Sequence, residues 1–193
     1  MIETEKISNT VHSLLYKDFT IRIEDGTVIG LRFRMHDFFH LLGFHYLEDL
    51  PDVSKPRRKD EVVRRFLRGT LSAQTLEKST FFHKIQKRIE LFSEIEKMLV
   101  SNRCKIIVDF DPSLIKATWL RTKYFLFRTE DHATYMLFGI GRDQNRYYPE
   151  TFIVEPSKYY VTGQRLLDCT IQYTEHMVKR RNQKTERQKR AHE

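Results

Sequence analysis

Cysteine is scarce. The chain has two in 193 residues, Cys104 and Cys169, far apart and each inside an apolar, strand-like run. Two thiols cannot complete a four-ligand zinc site or a disulfide framework, so both read as buried thiols. Long apolar runs are missing too: nothing approaches the roughly 20 residues that a membrane-spanning helix needs. Residues 1–6 lack the basic-then-apolar pattern of a secretory signal. The expected setting is cytoplasmic, with no membrane partner. There is no internal repeat and no low-complexity linker between two cores. What remains is 40% hydrophobic and 31% charged, ordinary for a globular protein with a real core.

The charge is unevenly placed. Of the net +8, residues 179–193 hold seven Lys/Arg against two Glu, and residues 55–68 hold seven Lys/Arg against one Asp and one Glu. Each segment is +5, so the rest of the chain sums to −2. Two basic segments on a near-neutral body suggest a footprint for a polyanion such as RNA. Arg57, Arg58, Lys59, Arg64, Arg65 and Arg68 lie in the first, and Lys179, Arg180 and Arg181 open the second. Solvation of a basic helix face also explains such segments without a ligand. The last stretch has almost no apolar residue and cannot bury a face, which predicts one domain over 1–177 and a disordered basic tail over 178–193.

Periodicity supplies the elements. Ile7, Val11, Leu14 and Leu15 predict a helix over 3–16. Residues 19–23 alternate, Asp25-Gly26 signals a hairpin turn, and Ile29, Leu31 and Phe33 continue the alternation. A helix opening at Asp37 and running to about Leu47 follows, then a loop over 48–52. A helix with Ser54 as cap and Pro56 in its first turn is stopped by Gly69. Ser72 caps a turn through Leu76. Phe82, Ile85, Ile89, Phe92, Ile95 and Leu99 predict one long helix over 80–101. From residue 104 the period becomes two, giving strands over 104–110, 122–128, 133–140, 147–154 and 167–174. Pro149 lacks an N–H and suggests an edge, a bulge or a strand entrance. The order implies an α+β fold, with helices on one side of an antiparallel sheet.

Residues 35–45 hold three histidines and three phenylalanines in eleven positions. Asp37 can accept hydrogen bonds from amides two or three residues on, as a helix cap does. His40 then falls in the first turn, where the dipole favours a neutral imidazole able to take and return a proton. Gly43 allows close backbone approach. A histidine among phenylalanines also serves simply as a packed boundary residue. The spacing of His36, His40 and His45 invites a metal reading, but Asp37 stands where the zinc-protease motif has glutamate, so no metal is assigned.

The hairpin running into Phe39-His40-Leu41-Leu42-Gly43, Ser79 ahead of Phe82, and the strand Tyr147-Tyr148-Pro149-Glu150-Thr151-Phe152-Ile153 resemble the phage barnase–EndoU–colicin–RelE-like nuclease group, in its fourth branch. The similarity covers roughly residues 10–175. It implies an N-terminal hairpin and helices packed on a four- to five-stranded antiparallel sheet of barnase/RelE type. It also implies metal-independent RNA cleavage without a cofactor, as a toxin or mobile-element effector with a neutralising protein partner. The helix histidine of the group is matched by His40 and its late-strand hydroxyl by Thr151. Arg121 and Lys123 are candidates to hold phosphate, and Tyr147 or Tyr148 to donate a hydrogen bond. No residue stands out as the carboxylate base. Two other readings stay open: an inactive nucleic-acid-binding module of the same fold, and a protein-interaction domain of a phage or conjugative element.

Overall fold

The computed structural model describes residues 2–100, 106–115, 120–130, 134–144 and 146–176. Helix α1 (Thr4–Leu15) buries Ile7, Val11 and Leu14, the stripe its spacing predicts. Strands β1 (Lys17–Ile23) and β2 (Val28–Arg32) form the hairpin. Its turn is held by the Thr27 amide donating to Asp25 Oδ1 at 2.8 Å, with Gly26 at φ +90°. Helices α2 (Asp37–Leu41), α3 (Pro51–Ser54), α4 (Lys59–Leu67), α5 (Ala73–Glu77), α6 (Gln86–Glu90) and α7 (Glu94–Val100) follow. Strands β3 (Ile106–Asp109), β4 (Thr122–Glu130), β5 (Thr134–Asp143), β6 (Arg146–Glu155) and β7 (Arg165–Glu175) complete the α+β chain.

All paired strands are antiparallel, and the sheet order is β2-β1-β7-β3-β4-β5-β6. The sheet has seven strands rather than four or five. The reason is β7. Its residues 165–168 pair with β3, and its residues 169–175 pair with β1, which draws the N-terminal hairpin into the same sheet. This half-and-half pairing shears the sheet and lets it curl. Its two end strands, β2 and β6, come side by side without a ladder between them.

The main core lies between the sheet and the helices, and a smaller apolar cluster with Val108, Phe110, Phe125, Leu137 and Ile153 covers the other face. Phe33 stacks between Phe38 of α2 and Phe138 of β5, at 5.7 and 5.8 Å between ring centroids. That column fixes α2 on the sheet. Cys169 is buried, as expected; Cys104 and the tail, with Lys179, Arg180 and Arg181, lie outside the described residues. No helix among the described residues is long and apolar enough to cross a membrane.

Several local expectations need correction. The helix over 80–101 is three pieces: a 3₁₀ turn (Phe82–Lys84), α6 and α7. Its apolar stripe serves two places. α6 packs near β6 and carries Arg88 to the His40 carbonyl, whereas α7 packs on α1 and β7. One straight helix cannot face both. The buried Glu94 then pins α7 to β4 through Arg128, 3.0 Å away.

The helix predicted to reach Leu47 stops at Leu41, because Gly43 turns left-handed at φ +79° before a 3₁₀ turn (Phe44–Tyr46). Asp37 is the first helical residue, not the cap. Its side chain points back along the helix and Oδ2 accepts from the Arg34 amide at 2.7 Å. The helix expected to be capped by Ser54 with Pro56 in its first turn opens later, at Lys59, and a separate short turn opens at Pro51 within the expected loop. A proline fits a first helical position, since its missing N–H has no partner there to lose. Ser54 ends that turn with its hydroxyl buried and unpaired, so it caps nothing. Ser72 does cap α5, accepting from the Thr75 amide at 3.1 Å, and Gly69 ends α4 at φ +76°.

Gly43 meets two constraints at once. A Cβ there would stand 2.7 Å from Ile85 Cγ2 and 3.2 Å from Arg88 Cδ. Gly43→Ala is therefore expected to lower stability by about 1–3 kcal/mol, since the left-handed backbone and the clash both oppose it. Urea denaturation checks this; an unchanged midpoint would mean that α2 and α6 are not packed as described.

Candidate active site

The alternation of β5 places Phe138 and Ile140 in the main core, so Gly139 and Gly141 face the other side of the sheet. Both lack a side chain where their neighbours need room. A Cβ on Gly139 would stand 2.7 Å from Thr151 Cγ2 and 3.1 Å from Thr122 Oγ1. One on Gly141 would meet the Tyr148 ring at 2.5 Å. Side chains from β4 and β6 thus pack down onto bare β5 backbone, a glycine-floored notch that they fill, with Thr122 and Thr151 buried.

A bulge flanks it on each side. The register shifts between Thr122 and Tyr124 on β4, and between Thr151 and Pro149 on β6. Glu150 is the extra residue on β6, next to a proline that cannot donate to the ladder. Its side chain is partly buried, and Oε2 accepts from Thr122 Oγ1 at 2.8 Å. Burial raises the Glu150 pKa above the ordinary carboxylate value; the Thr122 hydroxyl, the Arg121 amide and the Arg121 charge offset part of that rise. Tyr148 is also shifted up, by burial and then by Glu150 and Asp143, so it stays a protonated donor. The Arg121 side chain is exposed and has no salt bridge among the described residues. The notch therefore joins a poised carboxyl, a phenol, two hydroxyls and a guanidinium.

Of the residues singled out by sequence, Thr151 and Arg121 come together here. Tyr147 and Lys123 do not. Tyr147 packs toward the main core beside Tyr124, 6.2 Å between centroids. The Lys123 ammonium is paired with Asp109 at 2.6 Å, and that hydrogen bond raises its pKa.

His40 stands elsewhere again. Thr151 pairs with Gly139, on the face away from the helices, while α2 packs on the face of Phe138. The imidazole instead joins a cluster on the helical side. Its Nε2 is 2.8 Å from Lys59 Nζ, its ring is 5.0 Å from His45, and its carbonyl accepts from Arg88 Nη1 at 3.0 Å. The imidazole is held neutral, but by burial first and then by Lys59 and Arg88; these push its pKa down to about 4. The dipole argument does not apply, since His40 sits in the last turn of α2 rather than the first. Arg57, Arg58, Lys59, Arg64 and Arg68 are exposed around α4 on this side, with Arg65 half-buried. Arg58 and Arg64 both pair with Asp60. Among the described residues no group of three or more His, Cys, Asp or Glu is placed to hold a metal ion.

The family model of the phage-Barnase-EndoU-ColicinE5/D-RelE like nuclease 4 family matches residues 5–191. The chain belongs to this family. No curated protein and no solved structure matches it significantly. Membership in the phage nuclease family makes the chain a nuclease of the barnase/EndoU/RelE type. It also agrees with the resemblance carried by Phe39–Gly43 and by the Tyr147–Ile153 strand. Within that strand, sequence reasoning passed over Glu150. The one signal was Pro149 beside it, which marks a bulge but does not say that a carboxyl is half-buried there.

The histidine cluster gives the phage nuclease a defined acid response. His45, like His40, is depressed by burial first, to about 3. Unfolded histidines take protons near 6.5, whereas the folded ones resist until about 4 and 3. Their contribution is complete above pH 6.5 and declines as pH falls through this window, because the unfolded chain binds more protons. Denaturation midpoints at pH 7 and pH 5 should show the loss. NMR titration of Lys59→Ala should show the His40 midpoint moving upward; no movement would separate the two groups.

Proposed function

We propose that the glycine-floored notch cleaves RNA by attack of a 2′-hydroxyl on the adjacent phosphate, without a metal. The observation that carries this reading is Glu150: a carboxyl whose pKa burial raises, hydrogen-bonded by Thr122, near the exposed guanidinium of Arg121, which has no salt bridge among the described residues.

In this reading Glu150, ionised, takes the 2′-hydroxyl proton. The 2′-oxygen bonds to phosphorus as the bond to the 5′-oxygen breaks. Tyr148, kept protonated by its raised pKa, delivers a proton to that leaving oxygen. The products are a 2′,3′-cyclic phosphate and a 5′-hydroxyl, with no net oxidation. Arg121 stabilises the charge building on the phosphoryl oxygens through its planar fork, and Thr151 donates a further hydrogen bond. Arg57, Arg64 and Arg68, in and around α4, add long-range attraction for the polyanion but stand apart from the reacting groups. A phage-associated ribonuclease of this kind would act as a toxin toward cellular RNA and require a neutralising partner.

Purified protein with single-stranded RNA in EDTA tests the reading. Wild type should leave cyclic-phosphate ends, and Glu150→Gln should lose about 10²–10⁴-fold in rate. His40→Ala should stay within a few-fold of wild type once its folded fraction is matched. Equal rates for wild type and Glu150→Gln would remove the notch from the chemistry. A loss confined to His40→Ala would return it to the helical side.

A further inference from the structure

Where the curled sheet fails to close, β2 and β6 leave a cleft of about 290 Å³. Its floor is the outward face of the hairpin, with Asp18, Thr20, Gly30 and Arg32, and its far wall is Arg146, Tyr147 and Tyr148. Tyr148 belongs to both this cleft and the notch, since its ring lies over Gly141. The cleft and the notch therefore share one side chain.

The charges in the cleft are sorted. Arg32 is tied up by Asp18, whose carboxylate is also 2.6 Å from His176 Nε2. Both oxygens of Asp37 are engaged, Oδ2 by the Arg34 amide at 2.7 Å and Oδ1 by His36 Nε2 at 3.2 Å. Arg34 and Arg146 are exposed and have no salt bridge among the described residues. The Asp37 contact anchors the backbone of Arg34, so its guanidinium leaves from a fixed point on the rim. Two guanidiniums without a salt bridge among the described residues, both within reach of the Asp37 charge, and the Tyr148 ring beside a cleft of this size suit a phosphodiester with an unstacked base. A duplex, with its bases stacked inside, cannot enter a hollow this small.

We infer that this cleft is a binding subsite for one nucleotide of a single-stranded RNA, next to the phosphate held in the notch, with Arg34 and Arg146 gripping its backbone. The inference rests on the nuclease reading for the direction of the strand, but its binding is measurable without cleavage.

The probe is a short, fluorescein-labelled 2′-O-methyl RNA, which lacks the attacking hydroxyl. Anisotropy should show salt-dependent binding to the full chain. The paired variant Arg34→Gln/Arg146→Gln should weaken it at least about tenfold and flatten the log–log salt slope by about 0.7 per guanidinium removed. Gly30→Trp is a second, charge-neutral block: nothing stands within 4 Å of a Cβ there, so the ring enters the cleft without displacing the strand. It should weaken binding comparably at an unchanged melting temperature. The same oligonucleotide annealed to its complement should lose the dependence on these residues. No binding by wild type, or binding indifferent to both variants, overturns the subsite, as does equal cleft dependence for the duplex. Cleavage of unmodified RNA is read in parallel. Cleft-dependent binding without cleavage removes the nuclease reading and keeps the subsite; cleavage with cleft-independent binding does the reverse.

Discussion

β7 is held along its two edges by different halves of its length, residues 165–168 against β3 and residues 169–175 against β1. Everything else in the architecture follows from that ladder. It joins a hairpin near the start of the chain to strands at its far end, a long loop closure that only a large shared core repays. The shear it introduces curls the sheet, and the curl does two things. It wraps the inner face around the helices, so that Phe33, Phe38 and Phe138 form one column. It also brings β2 and β6 together without hydrogen bonds between them, leaving the seam cleft.

The glycine-floored notch sits on the opposite side from the helical packing because of two missing side chains. Gly139 and Gly141 cost β5 some strand propensity, yet they let Thr122, Tyr148 and Thr151 lie against the backbone. The adjoining bulges then present Glu150 half out of water. Burial raises its pKa, and two donors keep it from becoming permanently neutral. The helical side resolves the same problem in the other direction. There His40 and His45 lie among Lys59 and Arg88, where burial and nearby positive charge both oppose a further proton. One environment raises the pKa of a carboxyl above its ordinary value; the other lowers those of two imidazoles.

Much of this was legible in the order of residues. The stripe of α1, the Asp25-Gly26 turn, the Ser72 cap, the glycine stop at Gly69 and the alternation of β4 to β7 all depend on interactions within a few positions. The bulge at Pro149 was legible as one of three alternatives, because a missing N–H is a local fact. The break between α6 and α7 was not, since their apolar stripe is continuous. Only the separate destinations of Arg88 and Glu94, one at the His40 carbonyl and one at Arg128, require the turn. Nor was the position of His40: its neighbours in sequence are those of a site, but Lys59 and Arg88 come from α4 and α6.

The residue order by itself determined the α+β class, the hairpin, the strand set and the family, because periodicity and turn chemistry act over short distances. Tertiary structure alone decided which side of the sheet each side chain reaches, that Glu150 rather than His40 lies near Arg121 and on the Thr151 side, and that the sheet stays open at one seam. Those outcomes depend on strand register and on burial. A shift of one residue at a bulge moves a side chain from one face to the other, and how much water a carboxyl loses is set by neighbours distant along the chain.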